Sequence, residues 1–277
     1  MDQNYAALVK GSPITISLRK FSDEDGYRGM PLAIVGPGPS FDTVPKDCYF
    51  HLPIFALNAA ITETWQAKDV IWVSNDYDRT FENKNIREPI LKGIEGWDPW
   101  RIVVNRKFVP GEFGNIRWLD HFGRWQDPMK WRLSVKAMAQ CWWYGQNPGE
   151  EGYIDNGESV VELALEIARA WQMNPIVLIG VDFALVAPGR RKAILNPVRS
   201  SNYDYYAKPW QWKEMPARMY RGKLNRMRGQ VRRRRAEWSP DIYTISRYWP
   251  TSPFTYIDPD QIKRCVNQKS REGSPIG

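Results

Sequence analysis

Short, uninterrupted apolar runs separated by turn residues set the rhythm of this chain. The first, Pro31 to Val35, ends in Gly36-Pro37-Gly38-Pro39-Ser40. The second, Ile54 to Asn58, leads into a predicted helix from Ala59 to Trp65. A third, Asp69 to Ser74, stops at Asn75-Asp76-Tyr77-Asp78, and Arg101 to Val104 makes a fourth. Runs of this length bounded by Gly, Pro, Asn and Asp are what strands buried on both faces look like. Their alternation with helices predicts a parallel sheet. The first thirty residues read as polar and irregular, with Asp23 to Gly26 as a loop signal.

The clearest unit comes later. Asp155 to Ser159 offers several N-cap residues ahead of Val160, Val161, Leu163, Ala164, Leu165, Ile167, Ala168 and Trp171, a broad apolar helical face. Glu158, Glu162, Glu166 and Arg169 fall together on the opposite side. Met173-Asn174-Pro175 ends the helix, and Ile176 to Val181 is a buried strand that finishes at Asp182. Helix, tight turn and strand with an acid at the strand's carboxyl end make a Rossmann-like half-unit. A last core strand is predicted at Ile242 to Ser246. The fold class is therefore α/β: a Rossmann-like, mostly parallel sheet flanked by helices. No repeat or low-complexity linker divides residues 1–277, which read as a single Rossmann-like domain.

Charge changes the picture between those last two strands. The net charge is +8, but residues 186–235 carry 15 Lys and Arg against Asp204 and Glu214, a local +13 that leaves −5 for the rest. Residues 186–238 thus form a basic, aromatic-rich and largely helical insertion near the C-terminus, helical from Ala217 to Ala236. It interleaves arginines (Arg221, Arg228, Arg232, Arg233, Arg234 and Arg235 among them) with aromatics such as Tyr205 and Trp210. Arginine pairs with phosphates and aromatics stack on bases, so the segment points to DNA or another polyanion. Few apolar anchors (Leu224, Met227, Val231) accompany the arginines, which disfavours lipid. No run reaches the ~20 apolar residues of a spanning helix, and no signal-peptide core opens the chain. Three dispersed cysteines, Cys48, Cys141 and Cys265, match neither a disulfide framework nor a zinc cluster, so the expected location is cytoplasmic.

Candidate chemistry gathers at strand ends. Gly36, Gly38 and Ser40 let backbone approach a ligand and offer amides and a hydroxyl to phosphate, while Pro37 and Pro39 stiffen the turn; this is neither a Walker loop nor G-x-G-x-x-G. Asp76 and Asp78, one residue apart, suit Mg²⁺ or Mn²⁺. Asp182 lies where open α/β sheets bind ligands. Histidine is limited to His51 and His121, which excludes a His-rich metal site and leaves His121 as a candidate base.

In order along the chain, Ala33 to Ser40, Ala56 to Ala60, the strand ending in Asn75-Asp76, and Gly157 to Ala164 through Ile179 to Phe183 resemble the motifs of one superfamily. It comprises the motility accessory factor glycosyltransferases, the archaeal 6-hydroxymethylpterin pyrophosphokinases and the related bacterial CMP-sialic-acid sialyltransferases. The resemblance covers roughly residues 30–80 and 150–185, and residues 240–260 loosely. It implies a nucleotide at the strand ends, with Gly36, Gly38, Pro39 and Ser40 on phosphate and Asn58 and Asn75 on the nucleotide or transferred group. It also implies Ser159 on phosphate or sugar, Asp182 on the ribose or base side and Asp76 near phosphate or metal. The sialyltransferases carry a catalytic histidine beyond the G-x-D strand, whereas no histidine follows His121 here. The leading expectation is a glycosyltransferase using a nucleotide-activated sugar on a nucleic-acid or other anionic acceptor, with Asp182, Asp76 or His121 as base. A pyrophosphokinase using ATP on a small hydroxymethyl compound is the alternative. A non-catalytic nucleic-acid-binding protein is the third.

Overall fold

The computed structural model describes residues 3–9, 12–20, 26–73, 100–105, 118–119, 125–126, 139–144, 148–149, 153–155, 157, 159–183, 217–238 and 241–266. Its strands are β1 (Gln3–Val9), β2 (Ser12–Lys20), β3 (Leu32–Val35), β4 (Ile54–Leu57), β5 (Val70–Val73), β6 (Trp100–Asn105), β7 (Trp118–Leu119), β8 (Trp125–Gln126), β9 (Ala139–Tyr144), β10 (Ile176–Ile179), β11 (Ile242–Thr244) and β12 (Thr255–Tyr256). The helices that bear on the site include α1 (Ile61–Thr64), α2 (Val160–Ala170) and α3 (Ala217–Arg234). Ten strands make one sheet in the order β1-β2-β9-β6-β5-β4-β3-β10-β11-β12, and β7 pairs with β8 apart from it. From β2 to β12 every neighbouring pair is parallel; only β1 runs antiparallel, against β2.

The four-residue runs of β3, β4, β5 and β10 are buried at every position. Their alternate residues feed two cores, one on each face of the sheet. Leu32, Ile34, Phe55, Leu57, Ile176 and Leu178 pack with α2 through Leu163, Ile167 and Trp171, and with Val231, Trp238 and Trp249. Ala33, Val35, Ile54, Ala56, Val177 and Ile179 pack with Phe41, Tyr49, Leu52, Ile61, Ile262 and Val266. This is the sandwich of a sheet between two layers expected from the sequence.

Strand order locates the ligand-binding edge. From β3 the chain steps through β4 and β5 to β6 on one side; β10 then enters on the other side of β3 and is followed by β11. The order β5-β4-β3-β10-β11 is that of a doubly wound sheet, and its direction reverses between β3 and β10. Ligands of such sheets bind beyond the carboxyl ends of the strands at this reversal.

One reading of the sequence is corrected. The N-terminal residues are not irregular: β1 and β2 form a hairpin, and β2 continues the sheet alongside β9. Ile14, Ile16 and Leu18 alternate with polar residues, a period-two signal easily lost in a polar stretch. Glu162 and Glu166, which helical spacing sets opposite the apolar face of α2, are 0% and 2% exposed. The basic helix covers them.

Candidate functional site at the strand reversal

The site is built from two strand exits that grip one another. Gly36 N–H donates to the Ile179 carbonyl at 2.7 Å, and Gly38 N–H donates to the Gly180 carbonyl at 2.7 Å. Ser40 N–H donates to Asp182 Oδ2 at 3.0 Å, and Gly180 N–H donates to Ser40 Oγ at 3.2 Å. Phe41 N–H donates to the Gly38 carbonyl. Every N–H from Gly36 to Phe41 therefore has an internal acceptor, since Pro37 and Pro39 carry none. The turn that the sequence offered to phosphate spends its amides on holding the Gly180–Asp182 exit.

Glycine is required here for approach. Gly180 sits at φ +66°, a left-handed conformation that L side chains rarely adopt, and a β-carbon there would overlap the Gly36 carbonyl. A β-carbon at Gly38 would overlap both Asp182 Oδ2 and the Gly180 carbonyl.

Asp182 is the group that this packing encloses. It is 5% exposed, and its Oδ1 is buried without a hydrogen bond of ordinary geometry among the described residues. Burial raises its carboxyl above the usual range, partly offset by hydrogen bonding from Ser246 and Ser40. A carboxylate with raised proton affinity at the carboxyl end of a central strand is equipped to accept a proton at neutral pH. Ser246, just beyond β11, joins Asp182 and Ser40 and was missed in the sequence; only the parallel register of β10 and β11 brings it there.

Asn58 follows β4 at φ +49°, and its carbonyl accepts from Trp72 Nε1 at 2.9 Å. Ser159 is the N-cap of α2: its hydroxyl accepts from Glu162 N–H at 3.3 Å and donates to Glu162 Oε2 at 3.0 Å. Asn75, Asp76, Asp78, His121, Tyr205 and Trp210 lie outside the described residues, as do the side chains of Pro39 and Arg221. Among the described residues no cluster of three His, Cys, Asp or Glu could hold a metal. Cys48 and Cys265 are free thiols.

The basic helix divides into residues that anchor it and residues that do not. Arg234, 13% exposed at its side chain, meets Glu166 Oε1 at 2.5 Å, Glu162 Oε1 at 3.8 Å and Asp155 Oδ2 at 3.6 Å. Trp238 Nε1 donates to the same Glu166 oxygen at 2.7 Å, and Arg169 bonds to the other. Arg235 stacks over Phe254. Arg228 and Arg232 lie over Trp249, their guanidinium carbons 5.5 and 5.6 Å from its centroid. Arg233 is exposed. Of the four consecutive arginines read as a polyanion contact, Arg234 is thus a buried tie to α2.

No helix among the described residues is long and apolar enough to cross a membrane. No family model matches the chain, and no curated protein does. Among solved structures, the chain is similar to a MAf glycosyltransferase from Magnetospirillum magneticum AMB-1, with 14% identity and a TM-score of 0.45 over 98% of this chain. The match takes in 39% of that protein, so the chain spans about two fifths of its length.

Proposed function

We propose that the chain is a nucleotide-dependent transferase: a glycosyltransferase that takes a nucleotide-activated sugar at the reversal between β3 and β10. The observation that carries this reading is Asp182, a buried carboxylate of raised proton affinity held by Ser40 at the strand end where doubly wound sheets bind ligands. Asp182 Oδ1 takes the proton of the acceptor hydroxyl. The freed oxygen pair attacks the anomeric carbon, and the bond from that carbon to the phosphate oxygen breaks with its electron pair leaving on the nucleotide. The motif order along the sequence, with Asn58, Asn75 and Ser159 near the donor, supports a nucleotide as the leaving group. The basic helix beside the site favours an anionic acceptor, such as a nucleic acid. Mg²⁺ or Mn²⁺ on Asp76 and Asp78 belongs to this proposal as charge support for the leaving phosphate.

A thermal-shift panel of CMP, UDP, GDP, ATP and CMP-sugars, with and without Mg²⁺, tests it. Stabilisation by a nucleoside mono- or diphosphate and its sugar conjugate is the expected result. A shift with ATP alone would replace the transferase by a pyrophosphokinase, and no shift with any nucleotide would overturn both.

A further inference from the structure

The helix α3 holds eight Lys and Arg and no acid in its 18 residues. Such a helix repels itself unless its charges are met from outside. Arg234 has its carboxylates on α2. Arg228 and Arg232, one turn apart, have none: no carboxylate bonds to either among the described residues. Instead the protein holds both on one aromatic ring. Both guanidiniums lie over Trp249, which packs edge-on against Phe183 at 5.2 Å. Arg228 Nε donates to the Phe183 carbonyl at 2.8 Å, and Arg232 Nη2 donates to the Thr251 carbonyl and hydroxyl at 3.1 and 2.6 Å.

These tethers leave donors unspent. Arg228 uses Nε alone, so its two terminal nitrogens, the fork that grips phosphate oxygens in pairs, have no acceptor among the described residues. Arg232 keeps Nε and Nη1. Trp249 Nε1, also buried, has no acceptor among the described residues. Burial and the charge of Arg232 both lower the proton affinity of Arg228, as expected for two cations held together without an anion. Phe183 itself sits at φ +45°, a conformation costly for an aromatic residue, and it is the residue after Asp182. The pair therefore stands beyond the carboxyl ends of β10 and β11, on the side of the sheet where the proposed reaction occurs.

We infer that Arg228 and Arg232, mounted on Trp249, form an anion clamp that holds the donor's phosphate. This inference rests on the transferase reading and assigns these two arginines to the leaving group, not to the acceptor. The clamp supplies positive charge where the phosphate oxygen gains its electron pair, with no change in its own protonation.

Calorimetric titration with pyrophosphate, CMP and cytidine separates the elements. The intact chain should bind pyrophosphate and CMP. The Arg228→Gln/Arg232→Gln double variant should lose pyrophosphate affinity by tenfold or more, and Arg264→Gln, an exposed cation elsewhere, should leave it unchanged. Arg232→Gln alone, which among the described residues disturbs only the contacts to Thr251 and the ring face, should cost severalfold and decides the matter if the double variant does not fold by circular dichroism. Pyrophosphate affinity within twofold of the intact chain in the folded variants would overturn the clamp, as would an intact chain that binds CMP and cytidine equally and pyrophosphate not at all. Arginine-dependent pyrophosphate binding with no response to any nucleotide would keep the clamp and remove the transferase.

Discussion

Gly38 lies directly against the Asp182 carboxylate, close enough that a single added β-carbon would overlap Oδ2. Asp182 is thus held by the N–H of Ser40, 142 positions earlier, and by a glycine that leaves room for the acid. The glycine turn reads as a phosphate cradle in the sequence; in the structure its first task is to seat Asp182.

Gly38→Ala should destabilise the protein by about 1–3 kcal/mol, because backbone at Gly180 and a buried side chain must both give way. Gly38 sits at φ −74°, which any residue adopts, so that cost is steric. Urea denaturation of Gly38→Ala against the parent measures it, and a loss within about 0.5 kcal/mol would show that the approach to Asp182 is not tight.

Stability should also report the Asp182 proton. Its folded pKa is raised above the unfolded one, so the native state holds the proton longer. Stability is therefore lost as pH rises from the unfolded pKa through the folded pKa, and the full penalty stands above it. In Asp182→Asn this loss disappears, and the stability of the variant relative to the parent should climb with pH across that window. A pH-independent difference between the two in thermal melts would remove the raised carboxyl from the argument.

Arg234→Met should cost about 3–5 kcal/mol, since it strips the cation from buried Glu162 and leaves buried Glu166 with Arg169 alone. Arg233→Met, one residue earlier and exposed, should stay within about 0.5 kcal/mol. Guanidinium unfolding curves of the pair would show whether the arginine run is one charged surface or a buried tie beside a solvated neighbour.

Ser159→Ala removes the N-cap of α2 and should cost about 1 kcal/mol. If the Ser159 hydroxyl also holds the donor, nucleotide affinity should fall alike in Ser159→Ala and Ser159→Gly, which both lack it although glycine caps helices better than alanine. Affinity unchanged in both variants would confine Ser159 to capping.

The central strands were legible because burial on both faces leaves a trace in composition: β3, β4, β5 and β10 are each an unbroken apolar run. The helix α2 was legible from its stripe and its cap, and Asp182 from its place after an apolar run. The hairpin of β1 and β2 was missed because Ile14, Ile16 and Leu18 alternate with polar residues across a short window. Ser246 was invisible because only strand register links it to Asp182. The burial of Glu162 and Glu166 was not legible for a related reason: helical spacing opposes them to the apolar face, and nothing local announces a partner 68 residues later.

By itself the sequence determined the α/β class, the strand-and-turn alternation and the presence of an acid at a strand end, since periodicity and turn chemistry act over a few residues. The tertiary structure alone decided the strand order, and with it the reversal that sets Gly38, Ser40 and Ser246 around Asp182. It also decided how the basic helix distributes its charge: Arg234 inward onto two buried acids, Arg228 and Arg232 onto Trp249. A count of arginines registers only total charge. Which of them are neutralised depends on desolvation and distance between distant segments, and those quantities exist only once the chain has folded.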